Sequence, residues 1–296
     1  MLVVVASNPA ARFGRSGGVG AVVEARIRAL GHEVVHIAAS GYAAQLEQTR
    51  FAMIRADVLV VVGGDGMVHL GVNVVGGTSK PMLVVPAGSG NDFAAALGVR
   101  DAQDALDRMP ATLAAAPERV DLVRIEHPDG VALAAGIVSV GFDSDVTVRS
   151  LRMRRVPSSV RYEAAILATL VRLRHRTFRV RIDGGAERTW RTAIAAVANN
   201  RTLGGGIPLA ASASMRDGLL TAVLADELRL PAFLRLLGKA MRGTHQEDPR
   251  VTTVDCEVVE LDCDEPVSVC ADGEVVGRLP IRCSTMPGAL QVLRPV

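Results

Sequence analysis

The sequence predicts an α/β domain followed by a mainly β domain, and three observations lead to that reading. Short β-branched runs at 2–6, 33–37, 58–62 and 82–86 alternate with helix-like segments at 19–30 and 43–55. From about Val120 the periodicity changes to that of strands, with only two helical stretches among them. Glycine-rich segments fall directly after the third and fourth runs, at the carboxyl ends where parallel sheets bind ligands.

The first run leads into Ser7-Asn8-Pro9 without a basic leader or a small-residue cleavage site, so it reads as a strand rather than a signal peptide. The next three complete a βαβα pattern, a Rossmann-like parallel sheet with helices on its faces. Beyond it the sequence predicts strands at 119–125, 131–140, 178–182, 193–198 and 219–224, and several more between Val251 and Leu293. Helices are expected near 158–175 and 231–242. The expected division is an α/β domain over 1–118 and an antiparallel β-sandwich domain over 119–296, the last strand packing back on the first domain, with the site in the cleft between them. A chain of 296 residues suits two domains on the usual scale of about 150 residues each.

Composition narrows the function. The formal net charge of +2 makes no case for a nucleic-acid partner. No uncharged apolar stretch reaches the about 20 residues that a spanning helix needs, so the expectation is a cytoplasmic enzyme, peripheral at most to the inner face of the cell membrane. Cys256, Cys263, Cys270 and Cys283 form no CxxC pair and read as small buried hydrophobes. Only Lys80 and Lys239 are lysines among the 33 basic residues. The segment 149–181 gathers Arg149, Arg152, Arg154, Arg155, Arg161, Arg172, Arg174, Arg176, Arg179 and Arg181 around a helix-like stretch with an apolar face. Such a segment docks peripherally on anionic membranes or packs its apolar face on the β domain.

Three loops carry the chemistry. In Gly63-Gly64-Asp65-Gly66-Met67, glycines at a strand-to-helix turn let backbone N–H groups approach a phosphate, and the helix N-terminus favours its charge. Asp65 would repel that phosphate unless a cation lay between, which suits Mg²⁺. The second loop, Pro86-Ala87-Gly88-Ser89-Gly90-Asn91-Asp92-Phe93, repeats the arrangement after the next strand. The third is Ala271-Asp272-Gly273-Glu274, either a strand that turns both acids to one side or a hairpin turn.

GGDGM and PAGSGNDFA closely resemble the catalytic domain shared by diacylglycerol kinases and sphingosine or ceramide kinases. NDF is similar to the bacterial diacylglycerol kinase branch, whereas Gly66-Met67-Val68-His69 is similar to the sphingosine kinase branch. The resemblance extends along the chain through Asn8-Pro9, Val120-Asp121-Leu122, Gly141-Phe142-Asp143, Asn199-Asn200, Gly204-Gly205-Gly206, Pro208, Asp217-Gly218-Leu219 and the DGE of the third loop. It implies a fold like that of NAD kinase and diacylglycerol kinase, and ATP and Mg²⁺ as cofactors. It also implies a lipid acceptor, most directly diacylglycerol converted to phosphatidic acid in phospholipid biosynthesis. ATP contacts are implied for Asn8, Pro9, Ser40, Gly63, Gly64, Asp65, Gly66, Met67, Gly88, Ser89 and Asn91. Asp65, Asp92 and Asp121 would organise metal, and Asp217 with Ser214 and Leu219 a structural Mg²⁺. Glu274 or Asp272 would be the general base, with Asp65 serving the chemistry.

The departures are Met67 for the usual threonine, Ala11-Arg12 for Ser-Gly after Asn8-Pro9, and His69 for asparagine. Rival readings are a sphingosine- or ceramide-type kinase, an NAD kinase, which shares GGDG, and a non-catalytic lipid- or nucleotide-binding protein. A P-loop kinase lacks its GxxxxGK[ST] here, and Gly14–Gly20 does not have the GxGxxG spacing of a dehydrogenase. The sequence leaves a homodimer open.

Overall fold

The computed structural model describes residues 1–8, 18–153, 155–157 and 160–294. They form two compact units, one of residues 1–122 with 287–296 and the other of residues 123–286. The first unit contains β1 (Leu2–Ser7), α1 (Gly18–Ala29), β2 (Glu33–Ile37), α2 (Tyr42–Met53), β3 (Val58–Gly63), α3 (Asp65–Val75), β4 (Met82–Pro86), α4 (Asp92–Ala96) and α5 (Ala102–Ala114). Its sheet is parallel, in the order β2-β1-β3-β4. β3 reads VLVVVG and is buried at every position, because a central parallel strand has both faces covered by helices. Each such side chain contributes about 1.5–3 kcal/mol against the cost of ordering it.

β5 (Glu118–His127) runs across the boundary between the units. After it come β6 (Gly130–Ala134), β7 (Ile137–Gly141), α6 (Phe142–Arg152), α7 (Arg161–Leu170), β8 (Arg176–Ile182), β9 (Arg188–Thr192) and β10 (Ile194–Ala198). The short pair β11 (Thr202–Leu203) and β12 (Ile207–Pro208) leads to β13 (Leu220–Ala225) and α8 (Leu230–Ala240). The chain closes with β14 (Val251–Cys256), β15 (Val258–Cys263), β16 (Ser268–Ala271), β17 (Glu274–Arg278) and β18 (Ile281–Val292).

In the second unit, β14-β13-β10-β7-β16-β17 form an antiparallel sheet, and β18, β15, β8 and β9 pair antiparallel in another. Val140, Val197, Phe178 and Leu261 belong to its main core. The end of β18 joins the first unit's sheet, Val292 pairing parallel to Met82 of β4. The parallel α/β unit and the antiparallel sandwich agree with the fold class that the sequence pattern predicts.

The expected strand over 131–140 is two strands. β6 pairs with β5 and β7 with β10 and β16, so the chain changes partners at Ala135-Gly136. The helix expected over 158–175 is shorter, Arg161–Leu170, and helices α5 and α6 were not anticipated from the pattern. The basic segment is less cationic than its sequence suggests, because acids outside it pair with it. Arg176 pairs with Asp145, Arg179 with Asp262 and Asp264, and Arg181 with Glu187 and Glu260. Arg154 lies outside the described residues.

Candidate functional site

The parallel register places Ser7 opposite Val62 and Gly63 opposite Pro86, so β1, β3 and β4 end side by side. The backbone stitches them together: Asn8 N–H donates to Val62 C=O at 3.3 Å, and Ala87 N–H to Gly63 C=O at 2.9 Å. The two glycine turns then pack main chain on main chain. A Cβ on Gly64 would stand 3.1 Å from Gly88 Cα, and one on Gly88 would come within 2.7 Å of Gly64 N and overlap its Cα. Only glycine fits at Gly88. A Cβ at Gly63 would collide with the Met67 side chain, which is buried beneath the turn. Gly66 is half-buried in the first turn of α3.

Asn91 shapes the second turn. It adopts the left-handed region at φ 61°, where asparagine is tolerated better than most residues. Its side-chain Oδ1 accepts from Gly88 N–H at 3.0 Å, and its Nδ2 donates to Gly88 C=O at 2.9 Å. Ser89 is left exposed at the turn.

Two of the aspartates converge at this loop pair. The point where a Cβ on Gly90 would lie is 2.5 Å from Asp65 Oδ2 and 3.8 Å from Asp92 Oδ2. Asp65 Oδ1 also accepts from Phe93 N–H at 3.4 Å, tying the start of α3 to the start of α4. Two carboxylates of this kind fit Mg²⁺, a hard cation that is ordinarily held by one or two carboxylates, with waters and phosphate oxygens completing its shell. Asp121 is buried, and its Oδ1 accepts from Gly288 N–H at 2.7 Å, holding β5 to β18. Among the described residues no three acids, histidines or cysteines gather as a metal cluster.

In the second unit the DGE motif is a hairpin. Ala271 of β16 pairs with Glu274 of β17 across a two-residue turn, with Asp272 at φ 51° and Gly273 at φ 81°. Positive φ at both central residues is the type I′ geometry that Asp-Gly favours. The two acids are therefore not neighbours on one strand face. Asp272 is engaged: Oδ2 accepts from Ala135 N–H at 3.0 Å and Oδ1 from Gly136 N–H at 2.8 Å. Those are the two residues at which the chain changes sheets. Gly136 has no room for a Cβ, which would sit 2.8 Å from Asp272 Oδ1, and Asn199 N–H donates to Gly136 C=O at 2.9 Å. Glu274, half-buried, opens β17.

Beside this hairpin, Ser139 on β7 stands opposite Cys270 on β16, and its hydroxyl donates to Asp143 at the start of α6. Burial raises the Asp143 carboxyl above its ordinary range, and the Ser139 hydrogen bond opposes that rise. Burial first, then the charges of Asp143 and Glu274, pushes the Cys270 thiol up to about 12. This sets both acids in one neighbourhood and makes Cys270 a poor nucleophile. The Gly141-Phe142-Asp143 motif was the one sequence signal for Asp143. Gly136 had none.

The remaining candidates are spread around the units. Ser40 lies in an exposed bend before α2, and Pro9 is outside the described residues. In the loop after β12, Ser214 Oγ accepts from Arg216 N–H at 3.3 Å and Asp217 Oδ1 from Leu219 N–H at 3.0 Å. His69 is buried in α3, its ring 6.0 Å from that of Tyr42.

Residues 2–125 match the diacylglycerol kinase catalytic domain, and residues 136–294 match the YegS C-terminal NAD kinase beta sandwich-like domain. A diacylglycerol kinase of Mycobacterium tuberculosis is 34% identical over 298 residues, covering 99% of this chain and 95% of that protein. This chain belongs to the diacylglycerol kinase catalytic domain family. Solved structures extend the likeness in fold to the family and beyond it. A diacylglycerol kinase from Bacillus anthracis matches with a TM-score of 0.70 at 17% identity, over 99% of this chain and 96% of that one. An NAD kinase from Archaeoglobus fulgidus in complex with ATP matches with a TM-score of 0.57 at 14% identity, over 100% and 94%.

Proposed function

We propose that this member of the diacylglycerol kinase family is an ATP-dependent lipid kinase that transfers the γ-phosphate to a lipid hydroxyl, with diacylglycerol as acceptor and phosphatidic acid as product. The observation that carries the reading is the backbone packing of Gly64 on Gly88 with Asp65 and Asp92 turned toward one point. Phosphoryl transfer asks the protein mainly to position the donor and neutralise its charge; that arrangement supports a reading in which backbone N–H groups would position the phosphates and a cation held by the two carboxylates would neutralise them.

In this reading the N–H groups of the Gly63–Gly66 and Gly88–Ser89 turns take the phosphates of ATP. Asp65 and Asp92 would hold Mg²⁺, which when bound offsets the charge that builds on the phosphoryl group. Glu274 accepts the proton of the acceptor hydroxyl. Asp272, whose two oxygens already hold Ala135 and Gly136, acts as a positioning residue that fixes the hairpin from which Glu274 emerges. Asp143 lies near enough to influence the same neighbourhood, and its raised carboxyl lets it carry a proton at higher pH than an ordinary aspartate. A lipid acceptor brings the protein to a bilayer, and the cationic remainder of the segment 149–181 is the surface we assign to that peripheral contact.

Transfer of labelled γ-phosphate from ATP with Mg²⁺ to diacylglycerol, a sphingoid base, ceramide and NAD tests the assignment. Transfer to diacylglycerol, abolished in Asp65→Ala, is expected. Transfer to NAD alone would replace the reading with that of an NAD kinase, and transfer to a sphingoid base alone would change the acceptor.

A further inference from the structure

In the second unit a cavity of about 520 Å³ opens between α6, the end of α7 and the start of β8. That volume is within the about 300–1,000 Å³ of ordinary ligand sites. Its lining includes Arg149, Arg152, Arg172, Arg174 and Arg176 against one acid, Asp145. Asp145 is committed, since both of its oxygens bind Arg176, at 2.9 and 3.1 Å. Among the described residues no carboxylate forms an ion pair with the other four arginines. Arg149 Nε is instead oriented by Thr169 Oγ1 at 3.0 Å, which ties α6 to α7.

Arg176 is the pinned member of the set: its side chain is only 7% exposed, both of its terminal nitrogens bind Asp145, and its Nε stands 3.8 Å from Glu265 Oε2. The guanidiniums left for a ligand are those of Arg149, Arg152, Arg172 and Arg174, which line the cavity. The excess of guanidinium over carboxylate favours a dianion over a monoanion, and arginine's planar fork matches phosphate oxygens. The same two helical segments carry exposed large apolar side chains: Leu151, next to Arg152, is 58% exposed, Leu167 65%, and Val171, next to Arg172, 82%.

We propose that this arginine cavity binds the phosphomonoester headgroup of an anionic lipid in a bilayer, with Leu151, Leu167 and Val171 dipping into the acyl boundary. The site reaches β16 through Ser268 but includes none of Ala271–Glu274, and it serves to dock or to sense, not to react. The choice of a lipid as the carrier of the phosphate rests on the lipid-kinase reading. The cavity's preference for a phosphomonoester does not.

The test compares vesicle binding by the full chain. Neutral phosphatidylcholine vesicles carry either phosphatidic acid, a phosphomonoester, or phosphatidylglycerol, a phosphodiester, adjusted to equal surface potential. The wild type should bind the phosphatidic acid vesicles roughly tenfold more tightly, the size of one charge-assisted hydrogen bond. The doubly substituted R172Q/R174Q chain, checked for an unchanged melting temperature, should lose that preference. Equal binding to both vesicles overturns the proposal in favour of diffuse electrostatics. Inorganic phosphate binding to the free protein, with no vesicle preference, overturns it in favour of a soluble phosphate. Phosphate transfer to diacylglycerol in neutral detergent micelles, measured in parallel, reports on the kinase reading by itself.

Discussion

Around Gly64 and Gly88 the chain is shaped by the lack of β-carbons, whereas around Asp272 it is shaped by a side chain that reaches across 136 residues of sequence to hold Gly136 N–H. In the first case two main chains come together because nothing stands between them, and Asn91 then bonds to Gly88 on both its N–H and its C=O. In the second, a carboxylate anchors the point where the chain passes from β6 to β7, and through them it steadies the hairpin that bears Glu274. Glycines and a local asparagine leave a contiguous signature in sequence. A contact between residues 136 and 272 leaves none.

That contrast can be broken in order of expected effect. Gly88→Ala should be the most damaging, because the added methyl overlaps Gly64 and parts the two turns. A displacement of about 1 Å at a positioned phosphate is worth about 100-fold in rate, so kcat/KM for ATP should fall by about that factor, on top of a loss of about 1–3 kcal/mol of stability from the clash. Asp272→Asn should act on stability first. It replaces one acceptor by an amide donor that faces a backbone N–H, leaving a polar group unsatisfied at about 1–3 kcal/mol. Each kcal/mol lowers Tm by about 2–4 °C in a domain of this size, and the loss should be read by calorimetry before any effect on rate.

The smallest effect concerns pH. The folded protein raises the Asp143 carboxyl above its ordinary value, chiefly through burial, so the folded state keeps the proton where the unfolded chain has released it. The stability tied to that group is complete below the ordinary carboxylate pKa of about 4 and is lost as the pH rises toward the elevated value. Asp143→Asn stays neutral throughout. Its Tm should gain on the wild type as the pH is raised from about 4 toward neutrality, and a constant difference across that range would show that Asp143 is not held in this way.

The legibility of the molecule follows the same division. The βαβα order, the turns at Gly63–Met67 and Pro86–Phe93 and the antiparallel character beyond Val120 could be read because each depends on residues close in sequence. The break at Ala135-Gly136 could not, since both flanking strands are apolar and the pattern runs through without a pause. The ambiguity of Asp-Gly-Glu, strand or turn, was resolved by positive φ at Asp272 and Gly273. The net charge of the segment 149–181 was overestimated because Asp262, Asp264 and Glu260, which neutralise part of it, lie about 80 residues further on. What was left uncovered is the arginine cavity.

In the proposed mechanism Glu274 takes the proton from the acceptor while the glycine turns hold ATP. The most direct measurement is phosphate transfer to diacylglycerol by Glu274→Gln beside the wild type, with ATP affinity determined separately by calorimetry. Unchanged ATP affinity is expected, with transfer slowed by about 10²- to 10⁴-fold, the usual worth of a positioned base. Transfer within about twofold of the wild type, with the protein folded, would contradict it.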